Sequence, residues 1–184
     1  SHHGKTPPCA PLIVESGIEN VVVAVKDPNP LVNGKGLEIL ESNSIRVESG
    51  IMEKEAILLN EPFFTHKVLK RPLVTIKIAS SIDGLISRKN GKKRWITGEK
   101  SRELSHNFRN TVDAILVGVQ TILDDDPLLT ARPKQVVGNS LIRVVLDTNL
   151  RIPVSSKVLK PDNINSTIIM TGEGVSSENL KKFQ

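Results

Sequence analysis

From Val21 to Val25 the chain is continuously apolar and largely β-branched, and with Asn20 this predicts a short strand covered on both faces. Ahead of it, Cys9 to Ser16 reads as a helix: Pro7 and Pro8 force extended backbone before its first turn, and Gly17 ends it. Behind it, Asp27-Pro28-Asn29-Pro30 is a turn, because two prolines exclude regular structure there. Residues 34–44 follow as a helix with Leu37, Leu40 and Ile45 to one side. Residues 45–50 read as a second strand, and 52–64 as a helix that turns Ile51, Ala56, Leu59 and Phe63 inward. Thr65, His66, Lys67, Lys70 and Arg71 then crowd a segment of low periodicity, which sets a domain boundary near 64–71.

From Pro72 the pattern changes to alternation. Val74, Ile76 and Ile78 share one face and Leu73, Thr75, Lys77 and Ala79 the other, predicting a buried strand that ends at an Asp83-Gly84 turn. Asn90-Gly91 signals a hairpin amid basic residues. Thr97 is the expected N-cap of a helix running to Asn110, with Glu99 at its positive end and Leu104 and Phe108 as an apolar i,i+4 pair. Further strands are expected at 114–119, 142–147 and 166–171. The first of these feeds an acidic turn, and a last helix starts at Ser176 or Ser177. Two apolar strands with a helix between them, each delivering polar residues at its carboxyl end, locate a site at a sheet edge. Four strands with one or two helices are too few to cover both sides of a sheet, so this second domain is expected to lack its end. The fold class is α/β throughout.

The length of 184 residues leaves room for one large or two small domains, and 38% hydrophobic with 24% charged residues indicates a folded protein. The apolar runs at 21–25 and 114–119 are too short to cross a bilayer, and the opening lacks a signal-peptide pattern, so no membrane partner is expected. A single cysteine excludes an internal disulfide and fits a reducing compartment. The net charge of +5 suits nucleic acid or a phosphorylated small molecule. With one Trp, four Phe and no Tyr, stacking platforms for bases are scarce, which favours the small anionic ligand.

Several residues carry candidate chemistry. Cys9 opens a helix, a position suited to a thiolate metal ligand; the plainer alternative is a buried structural cysteine. His2 and His3 are ligands, a tag remnant or exposed loop, and spacing favours the last two. Lys77 is a charge inside an apolar strand and needs a partner or a ligand unless its stem snorkels at an edge. One of Asp124, Asp125 and Asp126 is a candidate acceptor for ribose hydroxyls, the others being a solvated turn. Arg109 and Arg132, with Lys93 and Arg94, suit a phosphate clamp. Trp95 beside them either stacks on a flat ring or anchors a small core under the hairpin. Lys77, Trp95, Asp125 and Arg132 are expected around one cleft. A Walker sequence and a G-x-G-x-x-G run after a strand are both missing.

SHHGKTPPC at 1–9, DPNPLVNGKGLEIL at 27–40, KIASSIDG at 77–84, WIT at 95–97 and DAILVGVQTILDDDPLLTARP at 113–133 together resemble the bifunctional riboflavin-biosynthesis deaminase/reductase family. The resemblance implies that 1–66 is the rear part of a zinc deaminase domain of cytidine-deaminase-like fold. It implies that 67–184 is the front part of an NADPH-dependent reductase domain of dihydrofolate-reductase-like fold, a mixed sheet with flanking helices. Cys9 would be one zinc ligand, the other ligands lying upstream. Ala79, Trp95, Thr121, Asp125 and Thr148 would contact NADPH. Lys93, Arg109, Leu129 and Arg132 would contact a phosphoribosylated pyrimidine, with Lys93 a departure from the family's small hydroxyl residue, and Lys77 would polarise or protonate the opening sugar. The family also implies a cytoplasmic homo-oligomer. The rival from another class is a basic nucleic-acid-binding or assembly module without catalysis.

Overall fold

The computed structural model describes residues 7–86, 95–131, 141–160 and 166–183. They form two compact units, Ser1–Lys77 and Ile78–Gln184. The expected hairpin at Asn90-Gly91 and the residues His2, His3, Lys93, Arg94 and Arg132 lie outside the described residues.

In the first unit, α1 (Cys9–Glu15), β1 (Asn20–Val23), α2 (Lys35–Ser42), β2 (Arg46–Ser49), α3 (Glu53–Leu59) and α4 (Glu61–Leu69) follow in order. β1 and β2 pair in parallel, Val21 opposite Val47. Ala10, Leu40 and Ile45 are buried together, with Ile13, Val14, Val21, Ile39 and Val47 packed against them; Leu40 and Ile45 pack as expected, whereas Ile39 joins this core and Leu37 is half-buried outside it. Three expectations fail here. Val22 is exposed, so β1 is not covered on both faces. The single helix over 52–64 is two: Pro62 has no N–H to extend the α3 ladder and instead sits in the first turn of α4, while the Asn60 amide closes α3 by donating to the Ala56 carbonyl at 2.9 Å. Leu59 is 84% exposed, and Ile51 and Phe63 are exposed as well, so the expected inward face is not covered among the described residues.

The second unit contains α5 (Glu99–Arg109), β3 (Ala114–Gly118), α6 (Val119–Asp125), β4 (Ile142–Leu146), β5 (Thr167–Met170) and α7 (Ser177–Leu180). The sheet order is β3-β4-β5 with every pair parallel, Val117 beside Val145 and Val145 beside Ile169. That face packs on Val119, Ile122, Leu129, Ile152 and Val158. On the other face Leu116, Ile168 and Met170 are exposed, so β3 is covered on one side only among the described residues.

The strand expected over 73–79 does not form, and Val74, Ile76 and Ile78 stand exposed. Alternation says which side chains share a face, but extended backbone also needs a neighbouring strand's N–H and C=O groups. None of the described strands pairs with this segment. The turn after it does form: the Gly84 N–H donates to the Ser81 carbonyl at 3.0 Å, with Gly84 at φ 81°. Gly98, not Thr97, stands at the N-cap of α5. Ser176 caps α7 as expected, its hydroxyl accepting from the Asn179 N–H at 3.3 Å.

The far end of α6 is held by Asp126, a left-handed C-cap at φ 42°. Its carboxylate accepts the Lys157 backbone N–H at 2.8 Å and meets the Lys157 ammonium at 3.4 Å. The Lys157 backbone N–H chiefly holds the Asp126 carboxyl below its ordinary range; partial desolvation opposes, and the Lys157 and Lys160 charges assist. A depressed folded pKa means that the stabilisation is complete above the unfolded value of about 3.9 and is lost as pH falls through the folded one. Asp126→Asn is therefore expected to lower the unfolding midpoint at neutral pH, with the gap to wild type closing on acid titration below about pH 4. A gap that persists unchanged through that acid range would contradict this account.

Candidate functional site

Because β3, β4 and β5 run in parallel, Gly118, Leu146 and Met170 all end at one edge of the sheet. The residues that follow them are mostly polar: Gln120 and Thr121 in α6, the segment Asp147-Thr148-Asn149, and Thr171 to Ser176. Two open cavities lie there. One, of about 350 Å³, is lined by Thr148, Asn149, Gly172, Glu173, Gly174, Val175, Ser176 and Asn179. The other, of about 280 Å³, takes Gly118, Val119, Gln120, Leu146, Asp147 and Arg151 together with the same Thr148 and Asn149. This edge position is where open parallel sheets bind ligands.

Local hydrogen bonds shape the edge. The Asp147 N–H donates to the Met170 carbonyl at 2.9 Å, and the Gly172 N–H to the Thr148 carbonyl at 3.0 Å, so the loops after β4 and β5 travel together. A Cβ at Gly172 would come within 2.9 Å of Thr148 Cγ2 and 3.0 Å of the Thr148 carbonyl, so the close approach needs glycine. Asp147 is 1% exposed; its Oδ2 accepts the Ile152 N–H at 2.7 Å, and the Leu150 N–H donates back to the Asp147 carbonyl at 3.0 Å. The buried carboxylate thereby folds 147–152 into the turn that presents Thr148, Asn149 and Arg151.

The sequence-derived residues are only partly gathered here. Thr148 lies between the two cavities, and Thr121 follows Gln120 in the first turn of α6. Asp125 is the last residue of α6, six residues from Val119, so at 1.5 Å per residue it stands about 9 Å along the helix. Of its neighbours, Asp124 accepts from the Gln120 amide at 2.8 Å, and Asp126 holds Lys157. Arg109 ends α5, and its Nη1 donates to the Thr130 carbonyl at 3.1 Å, which ties it to the loop that contains Leu129. Leu129 is buried in the core, so only its backbone is placed to meet a ligand. Ala79 is half-buried outside regular structure.

Trp95 is 79% exposed, which excludes a core anchor; the Arg102 guanidinium lies over its ring, 4.6 Å from the centroid. Neither Trp95 nor Asp125 lines either of these two cavities. Lys77 is exposed and is the last residue of the first unit, so the expected burial of its charge in a strand does not occur. Cys9 is an exposed free thiol at the start of α1, not a buried structural cysteine. Among the described residues no three His, Cys, Asp or Glu side chains gather into a metal site. Cys9 is the thiolate donor that the described residues offer to a zinc ion, and no chemical step is derived through the metal.

Asn149, Arg151, Gly172 and Glu173 were not singled out from sequence; the available signal was the polar residues after each apolar strand, with two glycines after the last.

Residues 72–184 match the family described as the RibD C-terminal domain. The riboflavin biosynthesis protein RibD of Aquifex aeolicus is 42% identical over 184 residues, covering 99% of this chain and 51% of that protein. The protein of the same name from Bacillus amyloliquefaciens is 43% identical over 174 residues, covering 95% of this chain and 46% of that protein. Among solved structures, Acinetobacter baumannii RibD superposes with a TM-score of 0.83 at 34% identity, over 100% of this chain and 51% of that one. A Thermotoga maritima diaminohydroxyphosphoribosylaminopyrimidine deaminase/5-amino-6-(5-phosphoribosylamino)uracil reductase gives 0.82 at 40% identity, over 97% and 50%. The chain spans about half the length of the curated relatives it matches.

Proposed function

Given that this chain belongs to the family of the RibD C-terminal domain, we propose that it contributes the reductase of riboflavin biosynthesis. The reaction is NADPH-dependent reduction of 5-amino-6-(5-phosphoribosylamino)uracil to its ribityl form. The observation that carries this reading is the edge after β3, β4 and β5, where Thr148 and Asn149 line both cavities. Its hydroxyls, amides and close-packed Gly172 fit the ribose and amide groups of a dinucleotide.

NADPH, when bound, supplies a hydride to the sugar carbon attached to the amino nitrogen. The chain's own part is to bind and orient. Thr148, Thr121, Ala79, Trp95 and Asp125 hold the cofactor. Arg109 and Arg132, with Lys93 and the Leu129 backbone, grip the sugar phosphate, and Lys77 gives the proton that accompanies reduction. The fold assignment follows the same lines: 67–184 as the front of a dihydrofolate-reductase-like domain, and 1–66 as the rear of a cytidine-deaminase-like zinc domain with Cys9 as one ligand. The parent enzyme is a cytoplasmic homo-oligomer acting on a phosphoribosylated pyrimidine, not on nucleic acid.

The test is a titration with NADPH and NADH followed by calorimetry. NADPH is expected to bind at least about tenfold more tightly, a difference of about 1.4 kcal/mol. Equal affinity for both nucleotides, or affinity only for oligonucleotides that falls steeply with salt, would reject the reductase reading.

A further inference from the structure

We propose that Arg102 is a positioning residue that fixes the plane of Trp95 for contact with a planar ring of the bound nucleotide, an inference that rests on the reductase reading above. Arg102 lies in the first turns of α5 and makes two attachments to the segment before that helix. Its guanidinium carbon sits 4.6 Å from the centroid of the Trp95 ring, and its Nη1 donates to the Thr97 carbonyl at 2.8 Å. The helix holds it in turn, since its backbone N–H donates to the Gly98 carbonyl at 3.2 Å. One planar side chain thus spans Trp95 to Thr97.

The ring it holds is exposed, so core packing does not fix Trp95. A guanidinium over an indole face is attractive and planar, which limits rotation of the ring while leaving its other face open. That is the arrangement a stacking platform requires: orientation set in advance, with one face unoccupied. A lysine retains the charge over the ring but loses the flat stack, and alanine loses both.

Trp95 is the only tryptophan in the chain, so intrinsic fluorescence reports on this ring alone. In wild type, NADPH is expected to quench Trp95 and sensitise dihydronicotinamide emission by energy transfer. Arg102→Ala is expected to lower Trp95 anisotropy before any nucleotide is added and to raise the Kd for NADPH about three- to tenfold, with unchanged circular dichroism. Arg102→Lys should recover part of that affinity. Wild-type anisotropy and Kd in Arg102→Ala, or a lysine variant no better than alanine, would overturn the positioning role and leave the reductase reading standing. NADPH binding without energy transfer would also overturn it, because Trp95 would then be remote from the cofactor. If NADPH does not bind the wild-type protein at all, the reductase reading fails and this inference fails with it.

Discussion

Ile122→Ala is expected to destabilise the second unit by about 2–5 kcal/mol, the range for deleting buried methylenes where surroundings cannot collapse. Ile122 is 2% exposed and belongs to a small cluster with Val119, Leu129, Val145, Ile152 and Val158. Each member of a small core matters more than it would in a large one, and a domain's whole margin is only about 5–15 kcal/mol. The loss also reaches the candidate site, because α6 starts at the β3 edge and its buried side presents Val119 and Ile122 to the sheet. Denaturant unfolding followed by far-ultraviolet circular dichroism should show a lower midpoint at unchanged slope. A midpoint equal to wild type would mean that the α6–sheet contact does not hold this unit together.

That helix was hidden in the sequence by its neighbours. Ala114 to Val119 reads as a strand and Asp124 to Asp126 as a turn, which left Val119 to Asp125 divided between them. The i,i+3 spacing of Val119 and Ile122 was present, but one pair is too short a record to separate a two-turn helix from the end of a strand. Elements whose pattern repeats were legible: β3, β4, β5, α2, α5 and α7 all appear close to where periodicity and capping put them. Burial was less legible than the elements. Leu59, Val22, Ile76 and Leu104 are apolar at the right spacing and still exposed, because spacing defines a face without supplying the surface that covers it.

Charge followed the same logic. Lys77 is a cation in an apolar run of the sequence, yet it is exposed, whereas Arg143 in β4 is buried. Arg143 lies on the covered face beside Ile115 and Thr167, and its Nη1 donates to the Leu128 carbonyl at 3.4 Å. A one-dimensional pattern cannot say which of two cations in apolar runs meets a carbonyl; only the loop after α6 decides it. The site was legible to the extent that polar residues after parallel strands share an edge; Thr148 and Thr121 were singled out only through the family resemblance. The partners of Thr148 were not, since the Gly172 approach depends on how two loops run together.

Arg109→Ala is expected to raise KM for the phosphoribosylated substrate about 10- to 100-fold while leaving the Kd for NADPH unchanged, given about 1.5–3 kcal/mol for a charged hydrogen bond. Arg109 is half-buried at the end of α5, and its bond to the Thr130 carbonyl fixes where the planar group lies. A guanidinium carries five N–H donors in a rigid fork, a geometry that suits a phosphate better than the point charge of lysine does. Arg109→Lys should therefore recover only part of the loss. Because the Thr130 bond is itself structural, the alanine variant should also lose about 0.5–1.5 kcal/mol of stability. Unfolding midpoints and substrate kinetics together separate the two roles: lost stability with wild-type KM would assign Arg109 to the fold alone and remove it from the phosphate clamp.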